Sequence, residues 1–330
     1  MTYYLLYFLT LFLLSPCFMV LCVADNLTYV HSAHATSSQN SPQKNIQVTD
    51  YTGIQIIRNE PTKRLIALAP HIVENVFSVG LGHQLVGVVS HSDYPKAAKE
   101  IPIVGHYNGY SLEKIVALKP DIVFIWAASN KHNLAEKLRA LGIAVYIDDP
   151  HRLQDINKSL SDIAILGGID INTLNNVTLF NQKIQRLKNN HKQRIKKNNI
   201  ETHNPYHVFF EISHNPLQTL NGNHIVSDII TLCGGTNIYA DEAIIAPLVS
   251  MESVLIRNPD IIMTGSDGDK VQTAESNTRL NTWNTYTTLH AVKNQAFIYI
   301  PADWLYRHTL RIADAAEFMC QSMQALRKKS

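Results

Sequence analysis

The spacing of apolar and polar positions predicts strands and helices that alternate along two segments of the chain. Short apolar runs next to Gly, Pro or Asp alternate with stretches whose apolar residues recur at helical spacings of three and four. In chain order, the predicted strands are 65–69, 85–89, 122–126 and 143–147, then 208–212, 261–264 and 297–300. This alternation implies parallel sheets covered by helices on both faces. Ahead of the first segment, alternation over 46–57 predicts a hairpin that turns near Tyr51-Thr52-Gly53.

One long helix is predicted between the two segments. Its apolar positions repeat at spacings of three and four and no Gly or Pro interrupts it: Leu174, Val177, Phe180, Ile184, Leu187, His191 and Ile195. We therefore expect an α/β fold in which two Rossmann-like αβα lobes are joined by one long rigid helix. The expected divisions are a signal peptide at 1–24, a flexible tether at 25–45, an N-terminal lobe with its hairpin at 46–168, the bridging helix at 169–200 and a C-terminal lobe at 201–330.

An internal repeat supports two similar lobes. Residues 111–124 align without a gap with residues 250–263, and Ser, Glu, Pro, Asp and Ile match outright. In each unit a Ser caps a helix, a Glu occupies the first turn where the helix dipole favours negative charge, and a Pro-Asp pair leads into a buried strand. Helix capping alone would account for Glu113 or Glu252 singly. As an equivalent pair, one in each lobe, they suit docking onto basic residues of a symmetric partner.

The N-terminus has the composition of an export signal. Residues 1–24 contain no charged side chain, and an apolar run is followed by Cys22-Val23-Ala24, which offers small residues for a signal peptidase. No Lys or Arg precedes the apolar run, so an uncleaved membrane anchor is the alternative. The polar stretch that follows has few residues able to form a core and is predicted to be a flexible tether.

Cysteine usage and charge narrow the function classes. Cys17 and Cys22 lie in the export segment, which leaves Cys233 and Cys320 as either one disulfide or two separate buried thiols. The formal net charge of +2 is too small to suggest the basic stripe of a nucleic-acid binder.

Four segments resemble a known family. They are VGVVSHSDYP at 86–95, LEKIVALKPD at 112–121, LCGGTNI at 232–238 and DWLYR at 303–307. From about Arg64 to Leu326 the chain is similar to the periplasmic binding proteins for cobalamin, in the group whose two lobes are bridged by a rigid helix and which also serves haem and iron–siderophores. The resemblance implies a ligand cleft between the lobes, no enzymatic activity, no cofactor, and cobalamin as the transported ligand. It also implies a location in the periplasm and an ABC transporter as partner, made of a permease dimer with its ATPase.

The resemblance also implies roles for single residues. The cleft side chains would be His91, Tyr107, Trp126, Asp303, Trp304, Leu305, Tyr306 and Arg307. Broad aromatic rings suit a flat macrocycle because they bury a large area with little loss of rotamer freedom. Glu113 and Glu252 would dock onto the membrane subunits of the transporter, and Cys233 and Cys320 would form a disulfide.

Two positions depart from the family pattern. His91 stands where a Tyr is expected, and Ala246 precedes Pro247 where the other lobe usually offers a Trp. His91 is interpreted as a polar or stacking contact, and the alternative is an imidazole that coordinates the metal of the ligand.

Three other functions are weighed against cobalamin capture. A haem- or ferric-siderophore-binding protein would share the fold, the docking glutamates and the export signal. Zinc binding is disfavoured because the 15 His residues form no tight cluster in the lobe sequences. An enzyme is disfavoured because no G-x-S-x-G, P-loop or G-x-G-x-x-G motif and no nucleophile–base pair is found.

Overall fold

A computed structural model describes residues 45–106, 109–130, 133–197, 205–266 and 282–328. The expected signal peptide and all of the tether except Asn45 lie outside these ranges, as does Tyr107. Two separate sheets carry the fold, one in the first half (residues 45–174) and one in the second half (residues 205–328). Among the described residues, we find no helix with the length and hydropathy needed to cross a bilayer.

The chain begins with the predicted hairpin. Strand β1 (Ile46–Thr49) pairs with β2 (Gln55–Arg58) in antiparallel register. Between them Asp50 Oδ1 accepts hydrogen bonds from the amides of Thr52 and Ile54, both at 2.9 Å, and Gly53 adopts a φ of +85°. The positive φ requires a residue without a Cβ, which explains the glycine in the turn.

The first sheet has six strands in the order β6-β5-β4-β3-β7-β8. The strands are β3 (Leu65–Ala67), β4 (Leu85–Val89), β5 (Ile103–His106), β6 (Gly109–Tyr110), β7 (Ile122–Trp126) and β8 (Ala144–Asp148). All neighbours are parallel except β5 and β6. The helices are α1 (Pro70–Ser78), α2 (Leu112–Ala117), α3 (Leu134–Ala140) and α4 (Asp155–Leu166). The apolar runs predicted as strands are thus confirmed to within two residues.

The long helix α5 (Asn175–Lys197) lies in the sequence between the two sheets. Its predicted apolar stripe is buried at Val177, Phe180, Ile184 and Leu187, which all belong to the largest apolar cluster of the structure. It contacts the second half through the last helix, Ile312–Arg327. The helix begins later than the predicted 169–171, because Ile171–Thr173 forms a separate 3-10 turn capped by Asp170.

The second sheet is fully parallel in the order β12-β9-β13-β14. Its strands are β9 (Tyr206–Glu211), β12 (Gly235–Asn237), β13 (Ile261–Ser266) and β14 (Phe297–Pro301), and a small hairpin is formed by β10 (Ser213–His214) and β11 (Leu217–Gln218). Its helices are α6 (Ile225–Leu232), α7 (Met251–Arg257), α8 (His290–Lys293), α9 (Ala302–Tyr306) and α10 (Ile312–Arg327). Two Rossmann-like sheets in one chain agree with the predicted fold class.

The internal repeat has a structural counterpart in both halves. Asp121 Oδ2 accepts from the amide of Arg64 at 2.9 Å, just before β3, and Asp260 Oδ2 accepts from the amide of His207 at 2.8 Å, in β9. Each Asp therefore ties the strand that it begins to the neighbouring strand. Lys119 and Asn258, two positions earlier, both have positive φ, of 47° and 40°. The duplicated Pro-Asp pair thus marks one conformation used twice.

Candidate ligand site at the strand ends

Most of the expected ligand residues follow the carboxyl ends of parallel strands. His91 lies two residues after β4, Trp126 is the last residue of β7, and helix α9, which carries Asp303 and Trp304, follows β14 directly. The carboxyl ends of parallel strands meet at one edge of a sheet, and ligands of open α/β sheets bind outside that edge. We refer to His91, Trp126, Asp303 and Trp304 as the strand-end site, a candidate site to which both halves contribute.

Arg307 connects the two halves at this edge. Its Nη1 donates to Glu74 Oε1 at 2.9 Å and to Asp93 Oδ1 at 2.7 Å, and its Nη2 donates to the carbonyl of His91 at 3.4 Å. Asp303, on its own side, lies 3.3 Å from Nη2. The Arg307 side chain is only 13% exposed, so most of its hydrogen-bonding capacity is directed at the first half.

Glu74 is the centre of this ion network. Its side chain is 2% exposed and also accepts from Arg311, at 3.0 Å from Nε to Oε2 and 2.6 Å from Nη2 to Oε1. The Arg311 guanidinium in turn stacks over the ring of Tyr94, 4.2 Å from the ring centroid. One buried carboxylate thus holds two arginines of the second half.

The pKa values at this network follow from its geometry. Burial opposes the charge of Arg307, but hydrogen bonds to Glu74 and Asp93 outweigh it and raise the Arg307 pKa. Burial likewise opposes ionisation of Asp93, and the hydrogen bond and charge of Arg307 outweigh it, so the Asp93 pKa is lowered. Arg307 and Asp93 are therefore both charged at neutral pH.

Trp126 has a histidine at its side. The His71 ring meets it edge to face, with ring centroids 5.5 Å apart. His71 Nε2 lies 3.3 Å from Asp148 Oδ2, and Asp148 Oδ1 accepts from Ser159 Oγ at 2.5 Å. Both His71 and Asp148 are buried, which fixes the orientation of the indole at the end of β7.

The expected ligand residues differ in how exposed their side chains are. His91 is exposed, with a φ of +64°, and Tyr306 is 38% exposed, while Trp126 and Trp304 are half-buried against the core. Leu305 is a correction: its side chain is 0% exposed and belongs to the apolar core. Residues two positions apart on a helix lie on roughly opposite sides, so Leu305 points away from the side of Asp303 and packs into the core.

Glu113 and Glu252 occupy equivalent exposed positions in their halves. Ser111 Oγ accepts from the amide of Lys114 at 3.2 Å and Ser250 Oγ accepts from the amide of Ser253 at 3.1 Å, so both predicted helix caps are present. The pKa of Glu252 is lowered by hydrogen bonds from its own amide and from Ser250. In a βαβ unit the helix N-terminus lies at the carboxyl edge of the sheet, which is the edge that carries the expected ligand residues.

The sequence pattern does not predict several residues that the structure places near this edge: Glu74, His71, Arg311, His224 and His308. Glu74 carried a signal, since it lies in the apolar run Val73 to Phe77 that α1 buries. A carboxylate on a buried helix face requires a charged partner, but the sequence does not say which arginine supplies it.

A disulfide closes the second half. Cys233, at the C-terminal end of α6, is bonded to Cys320 in α10 with an S–S distance of 2.00 Å. Of the two alternatives left open by cysteine usage, the structure shows the disulfide, as the family resemblance implied.

Comparison with known proteins gives a consistent result. Residues 65–304 match the family described as "Periplasmic binding protein". The vitamin B12-binding protein of Vibrio cholerae serotype O1 is 33% identical over 272 residues, which cover 82% of this chain and 92% of that protein. The crystal structure of the periplasmic vitamin B12 binding protein BtuF of Vibrio cholerae superposes with a TM-score of 0.69 at 32% identity and covers 81% of this chain and 99% of the other.

A more distant neighbour shares the fold alone. The periplasmic heme-binding protein RhuT of Roseiflexus sp. superposes with a TM-score of 0.66 at 22% identity and covers 80% of this chain and 99% of the other. The family match spans more than half of the chain and agrees with the architecture and the strand-end site. The chain therefore belongs to the periplasmic binding protein family.

Proposed function

We propose that this chain is the substrate-binding component of an ABC importer and that it captures cobalamin in the periplasm. The observation that carries the proposal is the 33% identity to a vitamin B12-binding protein over 82% of the chain. Relatives named as binding proteins favour capture without chemical conversion.

The proposed ligand position lies between Trp126 of the first half and Trp304 of the second. Both indoles are half-buried against the core, so each presents one surface that a ligand can cover while its remaining surface stays packed. A flat macrocycle with amide side chains gains from such a pair, because aromatic surfaces bury large area and the rim can be solvated. His91 and Tyr306, both exposed, would supply further contacts.

Arg307 and Asp303 would contribute to the site in different ways. The Arg307 guanidinium binds Glu74 and Asp93 and so connects the two halves. In the proposed site this connection would also form one wall. Asp303 is 25% exposed and keeps carboxylate surface for polar groups of the ligand. Because the ion pair of Arg307 with Glu74 already connects the halves, we expect a largely preformed cleft and only modest closure on binding.

Delivery would use Glu113 and Glu252. Both side chains are exposed in the first turn of capped helices, one in each half, and neither takes part in the ion network of Glu74. Two carboxylates presented by equivalent modules suit two equivalent permease subunits with basic residues. The transporter would then separate the halves and release the ligand.

Titration calorimetry tests the proposed ligand. Purified protein is mixed separately with cyanocobalamin, haemin and a ferric siderophore. Cyanocobalamin is expected to bind one to one, and Trp126→Ala and Trp304→Ala are each expected to weaken it by about 1–3 kcal/mol, the range for truncating an aromatic anchor. Tyr206→Ala is the matched control, because this Tyr lies at the amino end of β9. Binding of haemin or the siderophore without binding of cyanocobalamin would refute cobalamin capture in favour of the corresponding alternative.

A further inference from the structure

Three histidines continue the line of rings that starts at Trp126 and cross into the second half. His71 lies 5.5 Å from Trp126, His308 lies 6.0 Å from His71, and His224 lies 5.5 Å from His308, all between ring centroids. Trp126 and His71 come from β7 and α1, whereas His308 follows α9 and His224 caps α6. We refer to His71, His308 and His224 as the histidine column.

Each imidazole of the column has a defined bonding role. His224 Nδ1 accepts a hydrogen bond from the amide of Val226 at 3.2 Å, so this nitrogen carries no proton in the observed arrangement. The His308 ring is hydrogen-bonded to the backbone of Pro150, in the first half, and its own carbonyl accepts from Asn75 Nδ2 at 3.1 Å. The column is therefore part of the contact between the halves.

The groups that face the column are mainly other imidazoles. His308 has His71 of α1, His224 of α6 and His151 of the loop after β8 around it. Two carboxylates contact members of this group: Asp148 lies 3.3 Å from His71 and Asp149 lies 3.0 Å from His151. In the described residues these histidines form no arrangement that could hold a metal ion.

We propose that the histidine column positions Trp126 against the second half only while His308 and His224 are uncharged, so that ligand binding weakens when the medium becomes acidic. A proton on His224 removes the acceptor that caps α6. A proton on His308 places a charge in a buried contact that faces three other histidines. Either event separates the halves at the side of the indole. The inference rests on the proposed function for the identity of the ligand.

The proton affinities agree with this geometry. Burial lowers the His224 pKa to about 4, with a further contribution from His151. Burial, together with His71, His224 and His151, lowers the His308 pKa well below its usual value of 6.5. A folded-state pKa below the unfolded value means that stability is complete above pH 6.5 and decreases as the pH falls from 6.5 towards the folded pKa.

Two variants that cannot titrate test the column. His224→Ser keeps a residue that caps helices well, and His308→Phe keeps a ring in the same position. His83→Gln is the control, because His83 is exposed and lies outside the column. Cyanocobalamin affinity and the urea midpoint of unfolding are measured for the unaltered protein and each variant, at about pH 7.5 and about pH 3.5.

At about pH 3.5 a group with a pKa of about 4 is mostly protonated, so we expect the unaltered protein and His83→Gln to bind about fourfold more weakly there than at about pH 7.5. His224→Ser should lose clearly less, by less than about twofold. The unfolding midpoint should also depend less on pH in His224→Ser and in His308→Phe. An equal acid-induced loss of affinity and stability in all four proteins would overturn the inference. A purely structural role of the column would lower affinity and stability by the same amount at both pH values. If none of the proteins binds cyanocobalamin but their urea midpoints of unfolding still differ in pH dependence, the pH-sensitive role of the column is supported and the proposed ligand is wrong.

Discussion

The guanidinium of Arg307 lies 2.9 Å from a buried carboxylate oxygen of Glu74, although 233 positions separate the two residues in the sequence. Glu74 belongs to the first half and Arg307 to the second, so this ion pair joins the two sheets next to the site. A residue expected to contact the ligand is thereby also a structural connection. The position of the strand-end site depends on it, because α9, with Asp303 and Trp304, immediately precedes Arg307.

Removal of the Glu74 carboxylate is expected to destabilise the protein strongly. Glu74→Ala leaves Arg307 and Arg311 without their shared partner in a buried place, and the cost of breaking such a pair is about 3–5 kcal/mol. Urea unfolding at neutral pH measures it. Glu60→Ala is the control: the Glu60 side chain is 67% exposed and its carboxylate pairs with the exposed Lys63, so its loss should change stability by less than about 0.5 kcal/mol. Equal midpoints for the two variants would contradict the role given to Glu74.

Reduction of the disulfide should lower the stability of the second half. Cys233 and Cys320 are 87 positions apart, and closing a loop of that length restricts the unfolded chain by on the order of 4–5 kcal/mol. The double variant Cys233→Ala/Cys320→Ala is expected to unfold at clearly lower urea concentration. Dithiothreitol should bring the unaltered protein down to a similar midpoint and leave the double variant unchanged. A midpoint that responds to neither treatment would show that the bond does not contribute.

Charge reversal at the docking positions should separate delivery from capture. Glu113→Lys/Glu252→Lys is expected to abolish uptake by membranes that carry the cognate transporter, with cyanocobalamin affinity within about twofold of the original, because both side chains are exposed and outside the site. Glu136→Lys is the matched control, since Glu136 also lies in the first turn of a helix and is exposed. Unimpaired uptake by the double variant would remove the docking role.

The role of His91 can be separated from metal coordination by absorption spectroscopy. His91→Ala is expected to leave the visible spectrum of the bound corrinoid unchanged and to weaken binding by up to about tenfold, the loss of one polar or stacking contact. The backbone of His91 also accepts from Arg307, and this hydrogen bond does not depend on the side chain. A shifted spectrum in the variant would instead assign the imidazole to the cobalt.

The sequence was sufficient for the elements whose periodicity is strong. Two predictions from the apolar pattern are confirmed. A helix buried on one face shows apolar residues at spacings of three and four, as at Val177, Phe180, Ile184 and Leu187. A strand buried on both faces shows a continuous apolar run, as at Ile122 to Trp126. The sequence pattern does not delimit the helix Asp155–Leu166, and the two-residue strands β6, β10 and β11 are too short to show any period.

The candidate site was predictable only in part, and for a physical reason. The family resemblance implies cleft roles for Trp126, Asp303 and Arg307, and only Asp303 and Arg307 lie in one of the matching segments, DWLYR. The partners Glu74 and His71 lie in an apolar helix, and their significance comes from Arg307 and His308 more than 230 positions away. Pairings between distant segments depend on how the two sheets are placed, and local patterns carry no information about that placement.

The central claim is that the ligand lies between the carboxyl edges of the two sheets, beside Trp126 and Trp304. Anomalous diffraction at the cobalt edge from crystals grown with cyanocobalamin tests this most directly, because cobalt marks the corrin centre without reference to any side chain. The account requires one strong peak between the two indoles, near the ends of β4, β7 and β14. A peak at another surface, such as the groove between α5 and α10, or no bound cobalt at saturating ligand, would contradict it.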